Sequence, residues 1–273
     1  MIITARGCPY KCFFCVYPQT FHSRRFRPRS PANVVDEFEY VVENLPAVRE
    51  IGIEDDTFTV DRKRVRQICQ LILSRKIKVK WHCNCRVNLD LETMLLMKEA
   101  GCKRLGVGFE SADQNSLNLM HKGTTVEQIQ EFVENTRKAD LTVHGCFILG
   151  NPGETKETMQ KSLHLAKQLN CDTMQFYPLI VYPGTEAYEW AVKNNYLISS
   201  DYSQWSTEEA MNNCLLSYPN LSADEINAFC QRAYREYYLR PRYILTKARQ
   251  MLLKPSEIRR TLISAKIFFR HLL

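Results

Sequence analysis

Arg6-Gly-Cys8-Pro-Tyr-Lys-Cys12-Phe-Phe-Cys15 places three thiols within eight residues, directly after a short β-branched run at Met1–Thr4. Three thiolates at this spacing can hold three corners of a cubic iron–sulfur cluster. The fourth iron then stays open, and an open metal position is where chemistry takes place. The competing reading is a Cys3His zinc site completed by His22, seven residues past Cys15. Zinc knuckles usually pair two short ligand-bearing turns, and no second C-x2-C follows here. A loop that leaves the end of a strand carrying reactive groups is itself a statement about fold, because α/β barrels place their chemistry there.

Working outward, the chain alternates strand-like and helix-like segments. β-Branched runs at Met1–Thr4, Glu50–Glu54, Lys78–Asn84, Arg104–Phe109, Leu141–Ile148 and Thr173–Pro178 predict six strands. Between them lie amphipathic segments with start signals: Ser30-Pro31 before a helix to Leu45, Asp61 before Arg62–Ser74, and Asp90 before Leu91–Ala100. Thr125-Val-Glu-Gln128 is a capping box, and Glu154–Leu169 completes the set. Strands separated by helices imply parallel pairing through right-handed crossovers. Six units predict an α/β fold, a partial (β/α)6 TIM-like barrel open on one side. After Asp201 the alternation stops. Leu221–Leu239 (capped by Ser222), Arg242–Leu253 and Ser256–Leu273 read as helices, which divides the chain into a barrel over 1–200 and a C-terminal helical extension over 201–273.

Composition sets the bounds. With 273 residues, 45% hydrophobic and 25% charged, the chain can bury a sizeable core and reads as globular. No stretch approaches the roughly 20 apolar residues of a membrane span, and no signal-peptide pattern precedes the thiols. The eleven cysteines are odd in number and, past the first three, scattered, so they read as reduced thiols in the cytoplasm. The net charge of +7 is local. Residues 240–273 hold nine Lys/Arg against Glu257, a net of +8, which leaves −1 for the remainder. In Ser256–Leu273, apolar Ile258, Leu262, Ile263, Ile267, Phe268 and Leu272 interleave with Arg259, Arg260, Lys266 and Arg270. The pattern suits a helix docked on the barrel first, and a membrane-surface contact on anionic lipid second. Nucleic acid is disfavoured, since no recognised module or basic–aromatic platform occurs.

The C-x3-C-x2-C spacing, with Phe14 before the last cysteine, resembles the signature of radical S-adenosylmethionine (SAM) enzymes, over about the first 190 residues and more weakly through Leu221–Tyr243. The resemblance implies a 4Fe–4S cluster on Cys8, Cys12 and Cys15. SAM binds its open iron, and one electron cleaves the sulfonium to a 5′-deoxyadenosyl radical. It further implies Phe14 and Ile148 against adenine, and Glu54, Asp55 and Asp56 near the SAM ammonium. The family's two glycines at this triplet are replaced by Glu54 and Asp55, so carboxylates or backbone carbonyls remain alternatives. Gly106-Val-Gly108-Phe-Glu110-Ser111 is similar to the ribose- and methionine-binding edge, with Glu110 and Ser111 toward ribose. Lys122 is implied at the SAM carboxylate and Arg86 at SAM or a substrate anion. Gly145–Thr155 resembles the adenine-contacting strand, and Tyr182-Pro-Gly-Thr185 the barrel rim. Cys83 and Cys85 lack cluster spacing and read as buried, inert thiols.

Arg29-Ser-Pro31, Asp55–Phe58, Gly108–Ser111 and Lys122-Gly123 resemble the radical domain of cobalamin-binding-domain radical SAM proteins, the group of class B methyltransferases, anaerobic Mg-protoporphyrin ester cyclases and hopanoid-biosynthesis enzymes. No Asp-x-His-x-x-Gly motif occurs in this sequence, so cobalamin is expected only through a domain or partner outside it. The implied function is radical modification of a small-molecule substrate (lipid, isoprenoid or tetrapyrrole-like) by methyl transfer or oxidative cyclisation. A one-electron reductant such as ferredoxin or flavodoxin is implied with it. An RNA- or protein-modifying methylthiotransferase is the alternative, and it lacks its second cluster and RNA-binding β-domain here.

Overall fold

The computed structural model describes residues 1–205 and 213–253, and beyond them only 258, 261–263, 265 and 266. Most of the expected helix Ser256–Leu273 thus lies outside the described residues. Five strands, β3 (Glu50–Ile53), β4 (Lys80–Cys85), β5 (Cys102–Glu110), β6 (Thr142–Leu149) and β7 (Thr173–Pro178), form one parallel sheet in sequential order. A separate two-residue ribbon pairs β1 (Ala5–Arg6) with β2 (Arg27–Pro28) antiparallel.

The helices are α1 (Pro31–Asn44), α2 (Arg62–Ser74), α3 (Leu91–Glu99), α4 (Gln114–Leu119), α5 (Val126–Lys138), α6 (Lys156–Leu169), α7 (Glu186–Lys193), α8 (Ala223–Tyr238) and α9 (Pro241–Leu253). Their starts follow the caps read from sequence. The side chains of Ser30, Asp61 and Asp90 accept from the backbone N–H three residues on, at 3.2, 3.1 and 2.9 Å. Thr125 and Gln128 close a reciprocal capping box, as do Ser222 and Glu225. Each cap satisfies donors that the first helical turn leaves without partners, worth about 1 kcal/mol. The expected start at Glu154 moves two residues on, to Lys156, because Thr155 is the cap of α6.

Sequential order with right-handed crossovers puts every connecting helix on the same side of the sheet. Outward side chains such as Val143, Phe147 and Leu149 of β6 are buried under helices, whereas inward Thr142, His144, Cys146 and Ile148 are only half-buried. With the parallel Ile2–Ile53 bridge marking a sixth position beside its five strands, such a sheet is a partial (β/α)6 TIM-like barrel, and its concave face carries the polar residues. Cys69, Cys83, Cys85 and Cys102 all lie in the buried core. Burial raises the Cys69, Cys83 and Cys85 thiols far above ordinary values, which keeps them inert.

Two edges depart from expectation. The predicted strand Met1–Thr4 survives as one parallel bridge, Ile2 to Ile53, with Ile2 N–H donating to Gly52 at 2.9 Å and Glu54 N–H to Ile2 at 2.9 Å. Beyond Ile2 the backbone is diverted, because the N–H groups of Thr4 and Ala5 donate to the Asp55 carboxylate. At the far edge, the Tyr238 hydroxyl accepts from Met174 N–H at 2.8 Å and lies 2.7 Å from its carbonyl, while the Tyr237 hydroxyl donates to Cys171 O at 2.6 Å. Helix α8 thereby covers the free edge of β7 that would otherwise invite strand pairing. Among the described residues, no helix is long and apolar enough to cross a membrane.

Candidate active site

The cysteine loop leaves the β1–β2 ribbon at Gly7. Its φ of +86° and its approach to Arg25, where a Cβ would lie 2.1 Å from the carbonyl oxygen, admit only glycine. Past Cys15 the chain makes a short π-helical turn, Tyr17–Phe21. From that turn Gln19 reaches back: its Nε2 donates to the carbonyls of Phe13 and Cys15 at 3.0 and 2.9 Å and lies 3.4 Å from that of Cys12. Its Oε1 accepts from Glu186 N–H at 2.8 Å. The loop is also tied on both sides through its backbone, Phe13 N–H donating to Met120 at 3.1 Å and Ala187 N–H to Phe13 at 3.2 Å. Cys8 and Cys12 are buried and Cys15 is half-buried.

Burial, with the Cys12 and Cys8 sulfurs and Asp56 adding to it, pushes the Cys15 thiol up to about 11. A group that fits here takes up thiolates and supplies positive charge, as iron does. A single zinc would draw its sulfurs to about 3.8 Å of one another. His22, the ligand that a zinc reading requires, is committed to Asp56, with Nδ1 2.9 Å from Oδ1. Soft, all-sulfur donors on a pinned loop fit an iron–sulfur cluster.

The acidic triplet separates in space. Successive residues of an extended chain point to opposite sides. Glu54 faces solvent, Asp55 is 2% exposed, and Asp56 holds His22. Asp55, expected at the SAM ammonium, is engaged otherwise: its carboxylate accepts from Thr4 N–H at 2.6 Å, Ala5 N–H at 2.9 Å and the Thr4 hydroxyl. It orients the chain entering the cysteine loop.

Three expected cofactor contacts meet beside Cys12. Arg86 is buried, its guanidinium 3.9 Å from the Tyr10 ring centroid, with Nη1 3.5 Å from Cys12 Sγ and Nη2 donating to the Lys122 carbonyl. Lys122 Nζ bonds Glu110 Oε1 at 2.6 Å, both side chains being less than a tenth exposed. Glu110 folds back over its strand from a left-handed φ of +68°, at a register shift in the β5–β6 ladder. Gly108 makes room, since a Cβ there would meet the Glu110 carboxylate at 2.0 Å. Ser111 is fully buried, and its hydroxyl accepts from Asp113 N–H at 3.1 Å, which organises the entry to α4. Phe14 is half-buried edge-on to Phe13, and Ile148 is half-buried on the concave face.

Sequence reading missed Tyr10, Gln19, the His22–Asp56 pair and the polar lining of the barrel. In that lining His144 is 2.8 Å from both Thr173 Oγ1 and Gln175 Oε1, and burial lowers its proton affinity. The alternation of Thr142, His144, Cys146 and Ile148 was the available signal.

The loop after β6 adds a pH-sensitive element. Glu154 is buried, accepts from Asn151 N–H at 2.9 Å, and is raised to about 8 by burial. The folded chain therefore holds a proton on Glu154 that the unfolded chain releases near its ordinary value of 4.5. Stability from this group falls as pH rises from about 4.5 to 8. Glu154→Gln is expected to flatten that decline, so that its stability advantage over the parent grows to roughly 1–3 kcal/mol by pH 8.5. Thermal melts from pH 5 to 8.5 measure it, and parallel profiles would refute it.

Comparison with known proteins adds an independent line. Residues 2–166 match the Radical SAM superfamily model. A Pyrococcus horikoshii protein named "Uncharacterized methyltransferase PH0819" is 32% identical over 90% of this chain and 52% of its own length. The anaerobic magnesium-protoporphyrin IX monomethyl ester cyclase of Cereibacter sphaeroides is 33% identical over 68% of this chain and 31% of its own. Among solved structures, the cobalamin-dependent SAM radical enzyme OxsB, with aqua-cobalamin and SAM bound, superposes with a TM-score of 0.70 at 16% identity, over 87% of this chain and 40% of that one. The chain thus spans about half the length of the first relative and about a third of the second.

Proposed function

The chain belongs to the radical SAM superfamily, whose cofactors are a 4Fe–4S cluster and SAM, and we propose that it cleaves SAM reductively to modify a small-molecule substrate, methyl transfer being the favoured outcome. One observation carries the reading: three thiols spaced over eight residues of a glycine-dependent loop that Gln19 pins, with the buried Arg86 3.5 Å from the middle one. Cys8, Cys12 and Cys15 would hold the cluster. Bound there, it supplies the electron that opens SAM and gives access to C–H bonds no side chain can attack.

The remaining tasks fall to the chain's own residues. Arg86 and Lys122 present two buried cations against the single carboxylate of Glu110, a wall with net positive charge that suits the carboxylate of SAM. Glu110 supplies an acceptor for ribose, whereas Ser111, fully buried with its hydroxyl accepting from Asp113 N–H, serves the entry to α4 instead, and Phe14 and Ile148 offer apolar surface for adenine. The ammonium is left to backbone carbonyls of the 54–56 segment together with Glu54, since Asp55 is occupied by Thr4 and Ala5 and Asp56 by His22. His144, Gln175 and Tyr177 line the concave face, where a substrate is shielded from water. The names of the relatives favour methyl transfer or cyclisation of a tetrapyrrole-like compound over methylthiolation. Cobalamin, where used, would come from a domain or partner outside this chain.

Anaerobic reconstitution tests the reading. We expect about four irons per chain, absorbance near 400 nm, and 5′-deoxyadenosine from SAM under dithionite. Colourless protein carrying stoichiometric zinc would refute it.

A further inference from the structure

We propose that helix α9 is an in-plane anchor that seats the chain on an anionic lipid bilayer, with Leu245 and Leu252 entering the headgroup boundary and Arg242 and Arg249 meeting the headgroups. Vesicle binding needs neither SAM nor an electron, so this surface stands apart from the radical chemistry.

The helix lies inside out. At the α-helical repeat, Tyr243, Thr246, Lys247 and Gln250 share one face, the polar one, and that face is turned to the barrel. The Tyr243 hydroxyl donates to the Asp172 carbonyl at 2.9 Å, and Gln250 Nε2 donates to the Asp172 carboxylate at 2.9 Å. Lys247 Nζ lies 3.5 Å from the same carboxylate, and Asn170 Nδ2 donates to Thr246 Oγ1 at 3.4 Å. The opposite face carries Ile244, Leu245, Ala248, Met251 and Leu252. On it Leu245 is 71% and Leu252 83% exposed, and Ile244 is exposed as well. A helix that serves only to pack on a barrel turns its apolar stripe inward. Here the stripe faces out. Leu253, Ile258, Leu262 and Ile263, the next large apolar residues described, are exposed too.

Charge names the occupant. Arg242 and Arg249, seven residues apart and both exposed, line one edge of the stripe. Residues 240–253 hold four Lys/Arg and no acid, and residues 240–273 hold nine against Glu257. An apolar stripe edged by arginine in a basic segment matches the boundary of an anionic bilayer, where tails take the leucines and headgroups the cations. A second copy of the chain fits poorly, because pairing two such faces sets two basic surfaces against each other. The place in the fold agrees. Asp172, the anchor of α9, immediately precedes β7, at the end of the sheet where its strands begin. The cysteine loop follows the parallel Ile2 bridge and lies where the strands end. A bilayer under α9 therefore leaves the mouth of the barrel open.

The test is flotation of the full chain with vesicles of phosphatidylcholine alone, or with about 30% phosphatidylserine, at about 50 mM salt. The parent should bind the anionic vesicles about tenfold or more tightly than the neutral ones, and lose about tenfold at 300 mM salt. Leu245→Glu/Leu252→Glu and Arg242→Glu/Arg249→Glu should each weaken anionic binding about tenfold or more. Leu245→Met/Leu252→Met and Arg242→Lys/Arg249→Lys should keep most of it. All four positions are exposed, so thermal melts should match the parent, and the salt and lipid dependence of the parent stands without any variant. No binding by the parent, equal binding to neutral vesicles, or unchanged binding in either glutamate variant would overturn the proposal. So would a parent that ignores both vesicles and sediments as a dimer that Leu245→Glu/Leu252→Glu splits, since the stripe would then belong to a second copy.

Discussion

Cys12→Ala is expected to abolish 5′-deoxyadenosine formation from SAM under dithionite, by about a thousandfold or more, equivalent to roughly 4 kcal/mol of barrier. Cys12 is the central thiol of the loop, and its sulfur neighbours a cation, Arg86 Nη1, at 3.5 Å. Two sulfurs cannot hold the corners that three define, so bound iron should drop well below four per chain. The fold should persist. The loop is tied down by Gln19 through the carbonyls of Phe13 and Cys15 and by the Phe13 backbone, none of which needs the Cys12 side chain. Losing a small buried side chain costs only about 1–2 kcal/mol. Iron content, product assay and a thermal melt on the same sample separate chemistry from folding. A variant that turns over SAM at the parental rate would remove the foundation of the functional reading.

Lys122→Met should destabilise the chain by about 3–5 kcal/mol, because it strands the Glu110 carboxylate in a buried site. The pair meets at 2.6 Å with both side chains almost fully enclosed, and the absence of a side chain at Gly108 leaves room for the Glu110 carboxylate. Removing both charges is a different matter, since the attraction inside roughly offsets the loss of water outside. Lys122→Met/Glu110→Gln should therefore regain most of the loss. Urea denaturation of parent, both single variants and the double variant closes the cycle, and a coupling below about 1 kcal/mol would mean that water reaches the pair.

Legibility tracked distance along the chain. The caps at Ser30, Asp61, Asp90 and Thr125 are bonds across three residues, and the spacing of Cys8, Cys12 and Cys15 is local as well. The barrel followed from the alternation of such segments plus the handedness of their crossovers. What failed locally failed for a stated cause. Met1–Thr4 has strand composition, but Asp55, 51 residues from Thr4, takes the N–H groups that would have continued the ladder.

The sequence alone therefore determined the order of the five sheet strands and of the long helices between them, the helix starts at Ser30, Asp61, Asp90, Thr125 and Ser222, and the three-thiol loop. Caps and loop spacing are governed by interactions within one turn or one loop, whereas α4, α7 and the β1–β2 ribbon appear only in the structure. Only the tertiary structure decided what the neighbouring acids do: Asp55 holds Thr4, Asp56 holds His22, 34 residues away, and Glu54 remains in solvent. It alone joined Arg86 to Cys12 across 74 residues and left Arg6 facing Arg27. The physical reason is that a charge is disposed of by whatever the closed chain brings within about 4 Å, and no local pattern encodes that neighbour.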